Sequence, residues 1–273
     1  MTKEDQDFCI ARFKGNWSDR EKRTQLSWLV EDLFDKSLQH KLSSEELEQL
    51  SKAIDQLNAG KPIQHVTGIA HFYDLTLRSD KRGLIPRPET EELVHRALSY
   101  LNTCTHPRVL DVCSGSGNIP IAIKHNHPEA EILAMELSTE ALELSKLNAE
   151  KWKTEIRWLH HDALLEWPEM EVMDIITSNP PYIPESDKTE MDNNVLDHDP
   201  AMALFVPNTD PLKFYKALTE NGIKYLKKEG WLAMEIHHSY GEEVKVLGEE
   251  AGFQYVEVIQ DLNGNDRFVW AKK

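Results

Sequence analysis

The chain has 273 residues, of which 40% are apolar and 29% are charged, and its formal net charge is −16. This length suits a catalytic domain of about 200 residues with a small companion, and the composition excludes a disordered chain. The sequence contains no apolar run of the ~20 residues that cross a bilayer, no secretory signal pattern and no paired cysteine motif, so we expect a cytoplasmic protein without membrane contact.

The first sixty residues have the periodicity of helices. Apolar side chains recur with helical spacing over residues 26–34. A second helix is predicted to begin near Ser43, because Ser43 and Glu46 have the spacing of a capping box, and Pro62 lies beyond its end. We predict a compact helical domain over residues 1–62 that serves packing or docking.

Short strands and a proline-rich segment follow. The apolar residues Phe72, Leu75 and Leu77 are interspersed with polar residues such as Thr76 and Arg78, and this alternation indicates short strands. Residues 84–91 read Leu-Ile-Pro-Arg-Pro-Glu-Thr-Glu, and each proline keeps the residue before it out of the helical region. We therefore predict a linker β-hairpin over residues 63–88, which leads into a catalytic domain over residues 89–273.

From residue 89 onwards, strands and helices alternate. The predicted strands are 108–113, 131–137, 155–161, 173–178 and 230–236, and the helices between them include 138–150 and 211–227. Alternation of this kind predicts a mostly parallel sheet with right-handed crossovers. Two final strands, 255–261 and 267–271, flank an Asn-Gly hairpin signal. The expected fold class is α/β, with a seven-stranded, Rossmann-like sheet and an antiparallel C-terminal hairpin.

A glycine-rich segment lies where the first of these strands turns into a helix, and glycines there let the backbone approach a ligand. Glu136, at the end of the second strand, can accept hydrogen bonds from ribose hydroxyls. Pro120 stands where a nicotinamide site usually has glycine, and Asp111 can face a cationic ligand. We therefore expect S-adenosylmethionine as the cofactor rather than NAD. The candidate cofactor residues are Asp111, Cys113, Ser114, Gly115, Ser116, Gly117, Glu136, Asp162, Ala163 and Asn179.

The most specific motif, Asn179-Pro180-Pro181-Tyr182, follows the fourth strand. An amide or aromatic amino nitrogen is a poor nucleophile, because its lone pair is delocalised. The Asn179 side-chain oxygen and the Pro180 carbonyl oxygen can each accept one of its N–H groups, which places it for attack on a methyl group. Tyr182 can pack on the flat face of the target. These residues are the predicted catalytic and substrate-binding set, with Pro181 beside them. The motif predicts methylation of a planar NH₂ group and leaves adenine, cytosine and glutamine open. We see no metal-ligand spacing.

These motifs together resemble the PrmC/HemK family of glutamine N5-methyltransferases. The resemblance covers nearly the whole chain, including the helical N-terminal module, the hairpin from Gly68, the segment 84–91, the glycine-rich loop, Asn-Pro-Pro-Tyr and the turn at 263–267. It implies class I peptide chain release factors as partners, methylated on the glutamine of their Gly-Gly-Gln loop. It also implies that the N-terminal helical domain, residues 1–62, helps to dock this substrate. Two positions depart from the family pattern: Cys113 replaces the first loop glycine, and Glu136 stands where aspartate is common.

Several alternatives share part of this pattern. An N6-adenine methyltransferase of DNA or RNA would share the loop and Asn-Pro-Pro-Tyr, but it should add a basic recognition region, which the acidic sequence lacks. A glutamine methyltransferase of a ribosomal protein would resemble Pro-Arg-Ser-Pro in the linker, where this chain has Pro-Arg-Pro-Glu. A non-catalytic binding protein would not need the intact Asn-Pro-Pro-Tyr motif. A nicotinamide dehydrogenase would need an acid or base for hydride transfer, and the sequence shows no obvious candidate.

Overall fold

A computed structural model of the chain describes residues 1–15 and 17–273, without the side chains of Glu190 and Asn193. The helices are α1 (Lys3–Arg12), α2 (Asp19–Phe34), α3 (Ser44–Asn58), α4 (Ile63–Thr67), α5 (Pro88–Leu101), α6 (Asn118–Asn126), α7 (Thr139–Trp152), α8 (Asn193–His198), α9 (Ala201–Leu204), α10 (Lys213–Tyr225) and α11 (Gly241–Ala251). The strands are β1 (Ile69–Phe72), β2 (Leu75–Arg78), β3 (Arg108–Val112), β4 (Glu131–Glu136), β5 (Arg157–His160), β6 (Met173–Ser178), β7 (Ile183–Pro184), β8 (Phe205–Val206), β9 (Leu226–Glu235), β10 (Tyr255–Gln260) and β11 (Asp266–Lys272). Among the described residues, no helix combines the length and apolarity that spanning a bilayer requires.

The N-terminal helices α1, α2 and α3 enclose a core of their own. The Ser43 hydroxyl accepts the Glu46 N–H at 3.2 Å, and the Glu46 carboxylate accepts the Ser43 N–H at 2.8 Å, as a capping box requires. The periodic apolar face predicted over residues 26–34 lies in α2. The buried core residues include Cys9, Phe13, Leu26, Leu29, Val30, Leu50 and Ile54.

The segment after this module contains a helical turn that the sequence pattern did not predict. Helix α4 begins after Pro62, whose φ is −57°, and ends at Gly68, whose φ is +75°. Five residues are too few to show a helical period, so only the flanking proline and glycine mark this turn. Strands β1 and β2 follow as an antiparallel pair in which Phe72 is opposite Leu75.

The central sheet confirms the predicted fold class. Of the strands in the described ranges, seven form one sheet in the order β10-β11-β9-β6-β3-β4-β5. β9, β6, β3, β4 and β5 run parallel, while β11 is antiparallel to both of its neighbours. Helices α5, α6 and α7 pack on one face of the sheet, and α10 and α11 pack on the other.

Two details differ from the sequence prediction. Strand β9 begins at Leu226 and not at residue 230, because the polar residues after Leu226 hide the apolar pattern of a strand. The two-residue strands β7 and β8 also pair in parallel, with Ile183 opposite Phe205. This pairing brings together the two ends of residues 185–204, which we call the insert segment.

Candidate active site

A cavity of about 930 Å³, here called the first cavity, opens where the parallel strands β3, β4, β5 and β6 end. Its walls come from the segments that follow these strands and from residues 82–90 and 200–203. Ligands of open parallel sheets bind at this edge.

The glycine loop, residues 113–117, turns the chain from β3 into α6 beside this cavity. The Gly115 N–H donates to Glu136 Oε2 at 2.8 Å, and the Ser138 N–H donates to Glu136 Oε1 at 2.8 Å. The Glu136 carboxylate is therefore fixed between the loop and the start of α7. Each of its oxygens keeps a further lone pair for a ligand, since a carboxylate oxygen accepts two hydrogen bonds.

Cys113 lines the first cavity in a backbone conformation that favours glycine. Its φ is +60°, which costs a residue with a side chain roughly 1–2 kcal/mol. The thiol packs against the apolar core on the α10 side of the sheet, and burial raises its pKa well above the ordinary value. The thiol is therefore a neutral part of the wall and not a nucleophile.

Gly117 is packed too closely to carry a side chain. Its φ is +82°, and a Cβ there would lie 3.0 Å from Ser145 Cβ and 3.1 Å from Trp158 Cη2. We expect Gly117→Ala to lower the free energy of unfolding by about 2–5 kcal/mol, because overpacking costs about 1–3 kcal/mol and left-handed backbone adds about 1–2 kcal/mol. Urea unfolding measures this loss.

Gly115→Ala is the matched control for that variant. Gly115 also has a positive φ, +53°, but no described atom lies within 4 Å of its Cβ position. We expect this control to lose only the backbone contribution, about 1–2 kcal/mol. Equal losses in the two variants would show that close packing at Gly117 contributes nothing.

Asp111 lies in β3 behind the glycine loop and is completely buried. The Thr177 hydroxyl donates to its Oδ1 at 2.7 Å, while among the described residues its Oδ2 has no hydrogen-bond partner. Burial raises the pKa of this carboxyl to about 8, against the hydrogen bond from Thr177. Because an unpaired buried oxygen is costly when charged, these surroundings favour the protonated form of Asp111 at neutral pH in the ligand-free protein.

Asp162 and Ala163 follow β5 and line the first cavity. Asp162 Oδ1 accepts the Leu164 N–H at 2.9 Å, so part of this carboxylate stabilises its own turn. His161 lines the cavity beside them, and its Nε2 donates to the Glu166 carbonyl at 3.1 Å. No sequence pattern indicated this position of His161, because its neighbour His160 is equally polar and lies on the strand.

The Asn179–Tyr182 turn separates the first cavity from a second one of about 630 Å³. Asn179 lines both cavities, Pro181 lines the first, and Pro180 and Tyr182 line the second. The rest of the second cavity is lined by the insert segment and by Ile183, Leu84 and Arg87. A group held in one cavity can therefore meet a group held in the other at Asn179.

Most of the predicted cofactor residues line the first cavity, and two of them do not. Asp111 and Gly117 do not contribute to the surface of the first cavity. The predicted cofactor residues that do are Cys113, Ser114, Gly115, Ser116, Glu136, Asp162, Ala163 and Asn179.

Two buried residues beside Asn179 are absent from the predicted site. Thr90, in the first turn of α5, lies 3.2 Å from Asn179 Nδ2 and 2.6 Å from Glu235 Oε2. Glu235 ends β9, and its Oε1 accepts the Tyr182 hydroxyl at 2.9 Å. The available sequence signal was a lone acid in the apolar run Trp-Leu-Ala-Met-Glu-Ile of residues 231–236. A charged residue at such a position usually has partners.

An ion pair closes one side of both cavities. Arg87 Nη2 lies 2.5 Å from Asp199 Oδ2, and the Ile85 N–H donates to Asp199 Oδ1 at 3.1 Å. The Asp199 side chain is buried. These contacts fasten the insert segment to the proline-rich segment 84–91, so that both segments line the cavities together.

Comparison with known proteins identifies methyltransferases. The family model for the methyltransferase small domain matches residues 94–199. The 16S rRNA N2 G1207 methyltransferase RsmC of Thermus thermophilus, solved in complex with AdoMet and guanosine, is similar in fold alone. It superposes with a TM-score of 0.53 at 16% identity, covering 75% of this chain and 49% of that one.

Sequence relatives are more specific. A release factor glutamine methyltransferase of Bacteroides thetaiotaomicron is 38% identical over 233 residues, which cover 85% of this chain and 83% of that protein. Another, of Lactococcus lactis subsp. lactis, is 34% identical over 257 residues, which cover 94% of this chain and 92% of that protein. This chain therefore belongs to the family of release factor glutamine methyltransferases.

Proposed function

We propose that this chain transfers the methyl group of S-adenosylmethionine to the side-chain amide nitrogen of the glutamine in the Gly-Gly-Gln loop of class I release factors. The observation that carries the proposal is the place of Asn179 on the wall shared by the two cavities. The names of the relatives support the substrate. A release factor substrate would place the reaction in the cytoplasm.

The first cavity fits the methyl donor. Glu136 offers lone pairs to ribose hydroxyls, Asp162 and Ala163 flank the space for adenine, and the glycine loop allows close approach. When bound there, S-adenosylmethionine supplies an electrophilic methyl carbon on a sulfonium. Asp111 lies behind the loop with an unpaired oxygen, where a positive ligand would favour its ionised form.

The second cavity suits the target glutamine. We propose that the Asn179 side-chain oxygen and the Pro180 carbonyl oxygen accept the two N–H groups of the target amide, and that Tyr182 packs on its flat face. The held nitrogen attacks the methyl carbon, and the electron pair of the broken bond stays on sulfur. The methylated nitrogen then releases a proton to solvent. These residues act by placement and electrostatic preorganisation.

Residues 1–62 are proposed to dock the release factor. Helices α1 to α3 have a core separate from that of the sheet, as an independent docking unit would. The linker, residues 63–88, joins this module to the proposed catalytic part, residues 89–273. The module also contacts the linker directly, since Asp32 Oδ1 in α2 lies 2.7 Å from His71 Nε2 in β1.

Glu136→Gln tests the donor site. Both oxygens of Glu136 accept backbone N–H groups, from Gly115 and Ser138. In the glutamine variant an NH₂ group replaces one of these oxygens, so it would face an N–H donor and form no hydrogen bond. We expect the Kd for S-adenosylmethionine to rise by about 10–100-fold, since a hydrogen bond to a charged group contributes about 1.5–3 kcal/mol. Isothermal titration calorimetry measures it, with the exposed Glu150→Gln in α7 as the control. Equal affinities for the two variants would contradict a role for Glu136 in donor binding.

The deciding experiment for the function is transfer of a labelled methyl group from S-adenosylmethionine to a purified release factor. A second release factor carries Gln→Ala in its Gly-Gly-Gln loop, and a nucleic acid sample and ribosomal proteins are assayed alongside. We expect label only in the release factor that keeps its Gly-Gly-Gln sequence. Label in nucleic acid would establish an adenine methyltransferase instead, and label in a ribosomal protein alone would reassign the substrate.

A further inference from the structure

Four side chains form a buried chain of hydrogen bonds beneath the Asn179–Tyr182 turn. Asn179 Nδ2 contacts Thr90 Oγ1 at 3.2 Å, and Thr90 Oγ1 contacts Glu235 Oε2 at 2.6 Å. The Tyr182 hydroxyl contacts Glu235 Oε1 at 2.9 Å. Thr90 is 0% exposed and Glu235 is 1% exposed. These partners come from three distant parts of the sequence, and they meet only at the wall of the two cavities.

When Glu235 is ionised, the hydrogen atoms in this chain have only one consistent direction. An ionised carboxylate only accepts hydrogen bonds, so Glu235 receives the single hydrogen of the Thr90 hydroxyl. The Thr90 oxygen can then only accept from a third partner. The Asn179 atom that faces Thr90 must therefore be the NH₂ group, which leaves the carbonyl oxygen of Asn179 on the other side of its amide.

The hydrogen-bond geometry suits the ionised form of Glu235, because each carboxylate oxygen faces a hydroxyl group that can donate to it. Burial raises the pKa of the Glu235 carboxyl, and the hydrogen bonds from Thr90 and Tyr182 and the nearby Arg267 guanidinium offset only part of that rise. Burial raises the pKa of the Tyr182 hydroxyl well above its ordinary value, so Tyr182 remains a donor.

We propose that Thr90 and Glu235 are positioning residues, which hold the Asn179 amide with its oxygen free to accept an N–H of the target amide. The inference rests on the proposed function and adds two residues to its machinery. An Asn179 amide turned the other way would present N–H groups to the N–H groups of the target, and no hydrogen bond would form. Glu235 fixes both ends of the motif at once, because its second oxygen holds Tyr182.

The test compares two variants that differ by one hydroxyl. Thr90→Ala removes the group that accepts from Asn179, whereas Thr90→Ser keeps it and removes only the methyl group. We expect Thr90→Ala to lower kcat by about 10–100-fold, the loss typical when a group that orients a functional side chain is removed. The KM for release factor should change little, and Thr90→Ser should restore most of the rate.

Thr219→Ala is the control for loss of a buried threonine. Thr219 is 1% exposed in α10, and its hydroxyl donates to the Tyr215 carbonyl at 2.9 Å. We expect it to lower thermal stability without lowering kcat. Thermal unfolding is measured for every variant, and Thr90→Val replaces Thr90→Ala if the latter does not fold.

A double-mutant cycle shows whether Thr90 acts through Asn179. We expect Thr90→Ala to have little further effect on kcat in the Asn179→Ala background, because groups that act as one unit are not additive. An unchanged kcat in Thr90→Ala, an equal loss in Thr90→Ser, or the full loss repeated in the Asn179→Ala background would each overturn the inference. In all three cases the wild-type protein still transfers the label. Absence of transfer by the wild-type protein would overturn the proposed function and the inference together.

Discussion

Replacing Asn179 with alanine is expected to lower the rate constant of methyl transfer by about 10²–10³-fold, the usual cost of removing one preorganised polar group. The proposed oxygen acceptor is lost, so the target amide nitrogen is no longer directed at the methyl carbon. A single-turnover assay with labelled S-adenosylmethionine and excess enzyme measures the rate constant without a contribution from product release.

Two comparisons make this result specific to Asn179. The exposed Asn102→Ala, at the C-terminal end of α5, should transfer at the wild-type rate. Calorimetric titration of Asn179→Ala should show that S-adenosylmethionine still binds, since the other residues of the first cavity remain. If the Asn179→Ala rate stayed within the range of the Asn102→Ala control, the assignment of Asn179 to the reaction would be wrong.

Asp111→Asn is expected to change how stability depends on pH. The Asp111 pKa is about 8 in the folded protein, against an ordinary value of 3.8. Between these values the folded protein holds a proton that the unfolded chain has released. The free energy of unfolding therefore falls as pH rises, by about 1.4 kcal/mol per pH unit for this one group. The contribution of Asp111 is fully present below pH 3.8 and is lost as pH rises through about 8.

The asparagine variant carries no such proton, so its stability should lack this slope. From pH 5 to pH 7, its free energy of unfolding should rise relative to the wild type by about 3 kcal/mol. Urea unfolding of the ligand-free proteins at both pH values measures the difference. The exposed Asp197→Asn in α8 is the control and should follow the wild type. Parallel curves for Asp111→Asn and the wild type would show that Asp111 is ionised in the folded state.

The parts of the fold that could be predicted from sequence are those with local patterns. Alternating strands and helices predicted the parallel sheet, and Asn263-Gly264 marked the final hairpin. The Asn-Pro-Pro-Tyr turn and the glycine loop were also visible, because both are continuous in sequence. Short elements such as α4, β7 and β8 have too few residues to show a period.

The rest of the site depends on contacts between distant segments. Thr90 and Glu235 are 145 residues apart in sequence, and no pattern near either residue indicates the other. The sequence also did not separate residues on the cavity surface from residues behind it. Gly117 belongs to the glycine motif, yet its conformation serves packing against Ser145 and Trp158.

The parallel pairing of β7 with β8 has a consequence for how this family can diversify. Because Ile183 and Phe205 are partners, the insert segment leaves and re-enters the domain at adjacent points. Doubling the length of such a loop costs only about 0.6 kcal/mol of closure entropy, so evolution can lengthen, shorten or exchange it without disturbing the sheet. The insert segment contributes Val195, Ala203 and Leu204 to the second cavity. A new substrate loop can thus be accommodated by changing one surface segment, while the residues proposed to position the methyl acceptor stay unchanged.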